Sequence, residues 1–331
     1  MKILFSDTTY SYLFPGGKQV HADKLYSNLQ KIGVDVEYEN WYNPELKGDI
    51  VHFFGYNDFN KIITLKKKGY KLVYTHIMDG LTNVPNIKQG YHKYKNKIIY
   101  KLPNKFTPMF PWRALNNFDA IVYMHENDRK TAIKIYNIDP NITHVIPHAV
   151  DELPILMKKE NFTKNKYLVS LGSIVPRKNA ILTAKICSNN NIPIKFIGHP
   201  MDQKSAYFNE FLKYIDGNVV EYLGYVTKEK KNEILSNASG FILLSLGESG
   251  CISVYEAASF GLPLLLSDLP WAKGYEEPNN LSYCTINNLN ESEKIVVNFF
   301  NLAIRQNYPT IKVRTWQEVA KLYANLYVSI L

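Results

Sequence analysis

The stretch GFILLSLGESGCISVYEAASFGLPLLLSDLPW, residues 240–271, decides the fold class of this chain. An apolar run at 241–245 leads into a loop of small residues, a helix-like segment that starts near Cys251, and a second apolar run in LPLLLSD. Continuous apolar strands joined by a helix are typical of parallel sheets that are covered on both faces. The stretch therefore predicts an α/β domain built on a parallel sheet.

The same alternation extends outward along the whole chain. One series of apolar runs includes KILFS, DIVHFFGY, KLVYTHI and DAIVYMH, and a second series begins with YLVSLGSI. The turn-rich segment PHAVDELP at 147–154 separates the two series, and 331 residues are too many for one ordinary core. We therefore expect two Rossmann-like doubly wound domains, residues 1–150 and 151–311, that face each other across a cleft.

The bulk composition is that of a globular protein in a reducing compartment. Apolar residues make up 46% of the chain and charged residues 21%. Cys187, Cys251 and Cys284 are too few and too widely spaced for a disulfide framework or a zinc site. No run approaches the roughly 20 apolar residues that span a bilayer, and the N-terminal run is too short for a signal peptide, so a cytoplasmic location is expected.

The positive charge is concentrated in one segment. Basic residues exceed acidic residues by nine, and no Asp or Glu occurs from Gly80 to Phe118. The basic residues of this segment are Lys88, Lys93, Lys95, Lys97, Lys101, Lys105 and Arg113, and aromatic residues such as Trp112 alternate with them. This composition suits an anionic partner, which could be a membrane surface, a lipid-linked phosphate or nucleic acid.

The loop at 247–250 places a carboxylate directly before a helix. Small residues at a strand-to-helix turn let a phosphate approach the free N–H groups at 249–252. Glu248 before the helix and Glu256 along it could each accept hydrogen bonds from hydroxyls of a bound sugar or ribose. A capped amphipathic helix with two surface glutamates would have the same pattern.

The segment YLVSLGSIVPRKNAILTA, residues 167–184, supplies cations at a second turn. The strand ends at Gly172, and Arg177 and Lys178 fall in the turn before the next helix. Two cations at the edge of a cleft can stabilise a diphosphate leaving group as its negative charge grows. A solvated basic turn is the alternative interpretation.

Two further patterns lie in the first series of strands. Gly16 and Gly17 precede a helix that we expect to begin near Val20, and glycines there let the backbone approach a ligand, although Pro-Gly-Gly is also an ordinary turn signal. His76 ends the strand in KLVYTHI, with Asp79 three residues later. A histidine in that position is either structural or directed at a substrate.

The segment 240–271 resembles the donor-binding motif of glycosyltransferase family 4 and related retaining GT-B enzymes, in which a Glu is followed by seven residues and a second Glu. The resemblance implies that Glu248 contacts the transferred sugar and Glu256 the ribose. It also implies that the backbone of Ser249, Gly250, Cys251 and Ile252 binds the diphosphate. Many members have an arginine directly after the glycine of the other turn, where this chain has Ser173, so we assign that role to Arg177 beside Lys178.

The resemblance extends to other positions. It implies that the loop of Gly16 and Gly17 borders the donor phosphate, that His76 faces the donor sugar, and that Asp79 orients it or binds acceptor. By the same similarity, Gly172 ends the phosphate-binding turn, and the strand ends at Gly198, Tyr225 and Val226 frame the nucleotide base. The last helix resembles the family's C-terminal helix, so residues 312–331 are expected to cross back onto the first domain.

The sequence thus leads to the hypothesis of a retaining, metal-independent hexosyltransferase for surface polysaccharides or glycoconjugates. The implied donor is a UDP- or GDP-sugar and no cofactor is expected; the acceptor is a glycan or a lipid-linked sugar. An anionic membrane surface is an additional expected partner, nucleic acid is not, and the acceptor and membrane contacts are assigned to Asp79, Lys93, Lys95, Lys97, Trp112 and Arg113. The alternatives are a sugar-nucleotide epimerase of the same fold and a non-catalytic module that binds anionic surfaces.

Overall fold

A computed structural model describes residues 1–7, 16–43, 45–55, 58–78, 80–103, 109–153, 166–276, 281–303 and 311–331. The chain divides into two compact units. The N-terminal unit consists of Met1–Asp151 together with Arg314–Leu331, and the C-terminal unit consists of Glu152–Val313. The boundary between Asp151 and Glu152 lies inside the turn-rich segment that separates the two series of apolar runs.

The N-terminal unit is built on a parallel sheet that, among the described residues, has six strands in the order β2-β1-β3-β4-β5-β6. The strands are β1 (Lys2–Asp7), β2 (Asp35–Tyr38), β3 (Ile50–Phe54), β4 (Lys71–Thr75), β5 (Ala120–Tyr123) and β6 (Thr143–Val145). The helices between them are α1 (Gly17–Lys31), α2 (Phe59–Lys67), α3 (Asn86–Ile99) and α4 (Glu126–Tyr136). Every residue of β3 is buried, as expected for a central strand covered on both faces.

The C-terminal unit has a second parallel sheet, with six strands in its described part. The strands are β7 (Leu168–Leu171), β8 (Ile194–Ile197), β9 (Val220–Tyr222), β10 (Gly240–Leu243), β11 (Leu264–Ser267) and β12 (Leu281–Cys284). The helices are α5 (Ala180–Asn189), α6 (Ala206–Leu212), α7 (Lys228–Asn237), α8 (Ile252–Ser259) and α9 (Leu289–Ala303). Apolar side chains from one face of the sheet pack with those of α5, α6 and α9 into an apolar core.

The strand order of the C-terminal unit identifies where a ligand would bind. The order is β12-β11-β10-β7-β8-β9, so the chain runs outward in one direction from β7 and in the other from β10. The point where the direction reverses lies between these two neighbouring strands. In open parallel sheets, ligands bind outside the carboxyl ends of the strands at this switch point. A ligand-binding site is therefore expected in the loops that follow β7 and β10.

The last helix, α10 (Trp316–Ile330), belongs to the N-terminal unit although it follows the C-terminal unit in sequence. Thr315 caps its start: the Thr315 side chain accepts from the N–H of Glu318, whose carboxylate accepts in return from the N–H of Thr315. One face of the helix is buried in the apolar core shared with α1 and the sheet, and it contributes Trp316, Val319, Ala320, Tyr323, Leu326 and Tyr327.

A buried polar network joins α10 to the sheet beneath it. The hydroxyl of Tyr327 lies 2.6 Å from Nδ1 of His52, whose Nε2 lies 2.8 Å from the hydroxyl of Thr75. The hydroxyl of Tyr323 lies 3.3 Å from Nε2 of His21. Because buried polar groups are costly unless they are paired, this network favours one position of α10 on the sheet.

Candidate active site

A buried carboxylate lies between two cations at the switch point of the C-terminal unit. Glu248 is only 6% exposed. Its Oε1 lies 2.8 Å from Nζ of Lys178, and its Oε2 lies 2.8 Å from a terminal nitrogen of Arg177. The structure thus brings the predicted site residue Glu248 to the adjacent Arg177 and Lys178, which lie about 70 positions earlier in the sequence. The turn after β7 supplies the cations, and the loop after β10 supplies the carboxylate.

Two hydrogen bonds join these two loops, one between backbone groups and one from the Arg177 side chain to the backbone. The N–H of Leu246 donates to the carbonyl of Arg177 over 2.8 Å, and the guanidinium of Arg177 donates to the carbonyl of Gly247 over 2.6 Å. A short 3-10 turn at Pro176–Lys178 precedes α5 and carries both basic residues. The cations are therefore held by the fold and not only by their attraction to Glu248.

The charges stabilise each other against the cost of burial. Burial alone would raise the pKa of Glu248, but the nearby charges of Lys178 and Arg177 outweigh it and lower this pKa. Burial would likewise lower the pKa of Lys178, but the facing Cys251 and Glu248 raise it. All three groups are thus ionised at neutral pH, and the cluster carries one net positive charge, which suits a polyanion.

The start of α8 lies beside the same cluster. Sγ of Cys251, directly before the helix, is 3.6 Å from Nζ of Lys178 and 3.1 Å from the hydroxyl of Ser253. Gly250 has a φ of 65°, in the left-handed region that favours glycine. Ser249 is half-buried, and Ile252 is the first residue of the helix. A helix start carries partial positive charge, which adds to that of the two basic side chains.

Glu256, the second carboxylate of the motif, is held by a different cation. It is half-buried on α8, and its Oε1 lies 2.5 Å from Nζ of Lys231 on α7. Lys231 could not be singled out from the sequence, because the run KEKKNE at 228–233 has the pattern of an ordinary solvated helix face. The assignment of Glu256 to the ribose stays a prediction.

Two predicted glycines allow neighbouring strand ends to approach closely. Gly198 has a φ of 146°, and a Cβ there would lie 2.1 Å from the carbonyl oxygen of Gly172. Gly172 has a φ of 153°, and a Cβ there would lie 3.2 Å from Cε of Lys178. Glycine at both positions thus lets the backbone of β7 and β8 converge and leaves room for the Lys178 side chain.

Tyr225 lies in the turn after β9 with its ring largely exposed. The exposed ring of His199 stacks on it with a centroid distance of 5.4 Å and an interplanar angle of 2°. Val226 beside it is half-buried. His199 was not predicted as a site residue, because its signal in the sequence is limited to its position after Gly198 at the end of a strand. The stacked pair presents a flat aromatic surface at the carboxyl edge of this unit.

The remaining predicted residues near a donor lie in the N-terminal unit. Gly16 and Gly17 are exposed, and α1 begins at Gly17, so the expectation of a start near Val20 was wrong. The reason is that the N–H of Val20 already donates to the carbonyl of Gly16, which closes the first helical turn. Asp79 lies outside the described residues.

His76, at the end of β4, is buried against aromatic side chains. Its Nδ1 lies 3.1 Å from the hydroxyl of Tyr123, and its ring stacks on Tyr74. Burial lowers its pKa to about 3, so it is neutral at physiological pH. A neutral imidazole can donate or accept a hydrogen bond but provides no charge. Its assignment to the donor sugar stays a prediction.

The basic, aromatic segment splits into two environments. Lys93, Lys95 and Lys97 are exposed on α3. Trp112 is half-buried, with its ring 5.0 Å from that of Tyr100, and Arg113 donates to the carbonyl of Leu102 over 2.8 Å. Trp112 and Arg113 therefore help to fix the segment after α3, whereas the three lysines face solvent.

The described residues contain neither a metal-binding cluster nor a helix that could span a membrane. Across the described ranges, no group of three or more histidine, cysteine, aspartate or glutamate residues could hold a metal ion. The expected metal independence stays a prediction. None of the helices in the described ranges is long and apolar enough to cross a bilayer.

Parts of the chain are similar in sequence to known proteins. The model of the family described as Glycosyl transferases group 1 matches residues 154–295. The UDP-Gal:alpha-D-GlcNAc-diphosphoundecaprenol alpha-1,3-galactosyltransferase of Escherichia coli is 26% identical over 236 residues, which cover 62% of this chain. The match spans only 59% of that protein's length.

The whole chain resembles solved structures in fold. HepE of Anabaena, in complex with UDP and glucose, has a TM-score of 0.61 at 14% identity, covering 99% of this chain and 100% of that one. A glycosyltransferase of Rickettsia africae has a TM-score of 0.66 at 10% identity, covering 99% and 98%. The predicted fold class is confirmed: the chain has two Rossmann-like α/β units and the fold of GT-B glycosyltransferases. Residues 154–295 are similar in sequence to the group 1 glycosyl transferases.

Proposed function

We propose that this chain is a retaining glycosyltransferase that moves a hexose from a UDP-sugar onto a lipid-linked or glycan acceptor. The observation that carries the proposal is the buried Glu248 held between Lys178 and Arg177 beside the start of α8. The matching family model and the similarity to a galactosyltransferase with a diphosphoundecaprenol-linked substrate support this choice. We accordingly favour UDP over GDP, and UDP-galactose is the first donor to test.

In this proposal the cationic groups act on the leaving group. As the bond between the sugar C1 and the phosphate oxygen breaks, negative charge grows on the diphosphate. Arg177, Lys178 and the N–H groups at 249–252 stabilise that charge, and they are already in place before the reaction. Glu248 accepts hydrogen bonds from sugar hydroxyls and keeps Lys178 directed at the site.

The acceptor needs no strong base from the protein. In a retaining reaction of this kind, the acceptor oxygen attacks C1 from the face that the phosphate leaves. The departing phosphate oxygen can take the acceptor proton, so the new bond forms with the proton transferred to the leaving group. His76 then contributes as a neutral hydrogen-bonding group, in keeping with its lowered pKa.

The proposed compartment is the cytoplasm, at the inner face of the membrane, where a lipid-linked acceptor would be reached. The three cysteines are all free and buried, which is in keeping with a reducing compartment. A lipid-linked acceptor would also bring the chain to an anionic membrane surface, the additional partner that we propose.

A pair of matched glutamate variants tests the site. Glu248→Gln keeps the shape of the side chain but removes its charge, and we expect transfer from UDP-sugars to fall by about 10²–10³, the cost of losing one electrostatic contact in an active site. Glu233→Gln makes the same change at an exposed glutamate of α7 and should leave transfer unchanged. The measurement is sugar transfer by purified protein, after circular dichroism has shown that both variants are folded.

The donor is identified separately by thermal shift with UDP-, GDP-, CDP- and ADP-sugars. Stabilisation by UDP-sugars alone would support the proposal. A Glu248→Gln variant that transfers sugar at the wild-type rate would contradict the assignment of Glu248 to the active site. An isomerised sugar nucleotide formed without any acceptor would instead indicate the epimerase.

A further inference from the structure

Helix α3 is attached to its own unit by polar side chains. Asn96 donates to the carbonyl of Ile135 at the end of α4 over 3.0 Å. Gln89 donates to the carbonyl of Val84 over 3.3 Å and accepts from Nζ of Lys134 over 2.9 Å. Both residues are buried, so the inward face of this helix is largely polar, which reverses the usual arrangement of a surface helix.

The opposite face of α3 is apolar and exposed. Ile87 is 88% exposed, Tyr91 and Tyr94 are 66% exposed, and Ile98 is 50% exposed. At about 100° per residue, these four side chains fall within an arc of about 60° on the helix. We call them the α3 stripe. Leaving such a continuous apolar stripe in water is unfavourable, which is typical of a surface that contacts a partner.

Lysines flank the α3 stripe on both sides. Lys88 and Lys95 lie about 70–90° from the middle of the stripe in one direction, and Lys93 and Lys97 lie about 90–130° from it in the other. All four are exposed. No acidic residue lies on α3 or elsewhere between Gly80 and Phe118 to neutralise them. The stripe is therefore an apolar line within a positively charged surface.

We propose that the α3 stripe docks on the surface of an anionic lipid bilayer, with α3 lying in the plane of the interface. Ile87, Tyr91, Tyr94 and Ile98 enter the boundary between headgroups and acyl chains. The flanking lysines extend their charged ends to the lipid phosphates. Tyrosine suits this depth because its ring is apolar and its hydroxyl remains in contact with water.

The charge pattern favours a bilayer over the other partners. A second copy of the chain would present the same lysines around the same stripe, and the two surfaces would repel each other. Nucleic acid would pair with the lysines and stack on the tyrosines, but it has no apolar layer to receive Ile87 and Ile98. An anionic bilayer matches both the charge and the apolar stripe.

The test is sedimentation of the purified chain with vesicles of phosphatidylcholine, with and without phosphatidylglycerol, over a series of salt concentrations. No nucleotide sugar is added, so docking and the proposed transfer reaction can fail independently. We expect binding to the anionic vesicles that weakens as salt rises, and little binding to the neutral ones.

Two sets of variants distinguish the contribution of the lysine charges to vesicle binding from that of the inserted apolar side chains. Lys88→Gln/Lys95→Gln and Lys93→Gln/Lys97→Gln should each weaken binding about 25-fold, at about fivefold for each lysine. Tyr91→Ser/Ile98→Ser keeps the charge and should weaken binding about tenfold or more, because two apolar side chains no longer leave water. Lys67→Gln/Lys68→Gln and Tyr42→Ser/Met201→Ser make the same changes at exposed positions elsewhere and should bind as the wild type does.

Several results would overturn the proposal. If the folded Tyr91→Ser/Ile98→Ser variant binds vesicles as the wild type does, binding depends on charge alone and the apolar side chains do not insert. Equal binding of the control variants and the lysine variants would mean that the net charge acts and not this surface. Dimerisation that the stripe variant abolishes, or DNA binding in place of vesicle binding, would assign the surface to those partners.

Discussion

Glu248 illustrates, at the scale of single residues, how a buried charge becomes a binding feature. The free-energy cost of removing a carboxylate from water is several kcal/mol, and it is offset here by two cations at 2.8 Å. The two cations do not stabilise Glu248 equally. Lys178 is nearly as buried as Glu248, whereas the side chain of Arg177 is 47% exposed and its charge is partly screened by water.

Removing Lys178 should therefore destabilise the fold as well as the site. Lys178→Met leaves Glu248 buried with one half-exposed partner, and we expect the free energy of unfolding to fall by about 3 kcal/mol. Urea denaturation at neutral pH measures it. The matched change Lys230→Met removes an exposed pair with Glu233 and should cost less than about 1 kcal/mol.

Two further measurements would show whether the unpaired charge of Glu248 causes this loss of stability. Burial raises the pKa of Glu248 once Lys178 is gone, so the carboxyl in Lys178→Met is protonated as the pH falls toward about 4.5 and the loss should shrink over that range. It should shrink further below about 4.5, where the wild-type Glu248, whose pKa is lowered, is itself protonated. The double variant Lys178→Met/Glu248→Leu should recover most of the lost stability. A loss that does not depend on pH and is unchanged in the double variant would show that packing, and not charge, is responsible.

Helix α10 shows how one element completes a unit that is distant in sequence. Its buried side chains fill the core between α1 and the sheet. Tyr323 and Tyr327 also supply hydroxyls to the buried histidines His21 and His52. Without α10 these apolar surfaces would face water, and His21 and His52 would each lose one hydrogen-bond partner.

Deletion of Arg314–Leu331 should accordingly unfold the N-terminal unit while the C-terminal unit remains folded. Each large side chain removed from the core contributes about 1.5–3 kcal/mol, and together they are comparable to the whole stability of a domain, about 5–15 kcal/mol. Limited proteolysis should digest the N-terminal unit first. The milder variant Thr315→Ala removes only the helix cap and should cost about 1 kcal/mol. An N-terminal unit that resists proteolysis after the deletion would contradict this role of α10.

For the whole molecule, the two units differ sharply in their titratable groups. Seven of the eight histidines belong to the N-terminal unit, and the C-terminal unit has only His199, which is exposed. Burial lowers the pKa of His21 and His76 to about 3 and that of His125 to about 4. It also lowers the pKa values of His52 and His148.

This distribution predicts that mild acid destabilises the N-terminal unit first. A histidine with a lowered pKa in the folded state provides its full stability above its unfolded pKa of about 6.5 and loses it as the pH falls below that value. At pH 5 the loss is about 2 kcal/mol for each fully buried histidine. Calorimetry from pH 7.5 to 5 should show the transition of the N-terminal unit moving down well before that of the C-terminal unit. Equal movement of both transitions would contradict the assignment.

The sequence by itself determined the fold class and the segments from which the site is built. Parallel strands that are buried on both faces have near-continuous apolar runs, and their turns need glycine and proline, so both leave a local pattern. The positions of Glu248, Arg177 and Lys178 in two such turns could be predicted for the same reason. Gly198 could be marked as the end of a strand, but not as the point where two backbones converge.

Only the tertiary structure decided which groups face each other. The order of β7 and β10 in the sheet brings Glu248 to Lys178, and the placement of α7 near α8 brings Lys231 to Glu256. The structure also shows which side of α3 is buried. The sequence pattern of a helix distinguishes two faces, but it does not indicate which of them packs against the rest of the protein. Contacts between residues distant in sequence depend on strand order and packing, and neither has a local signal in the chain.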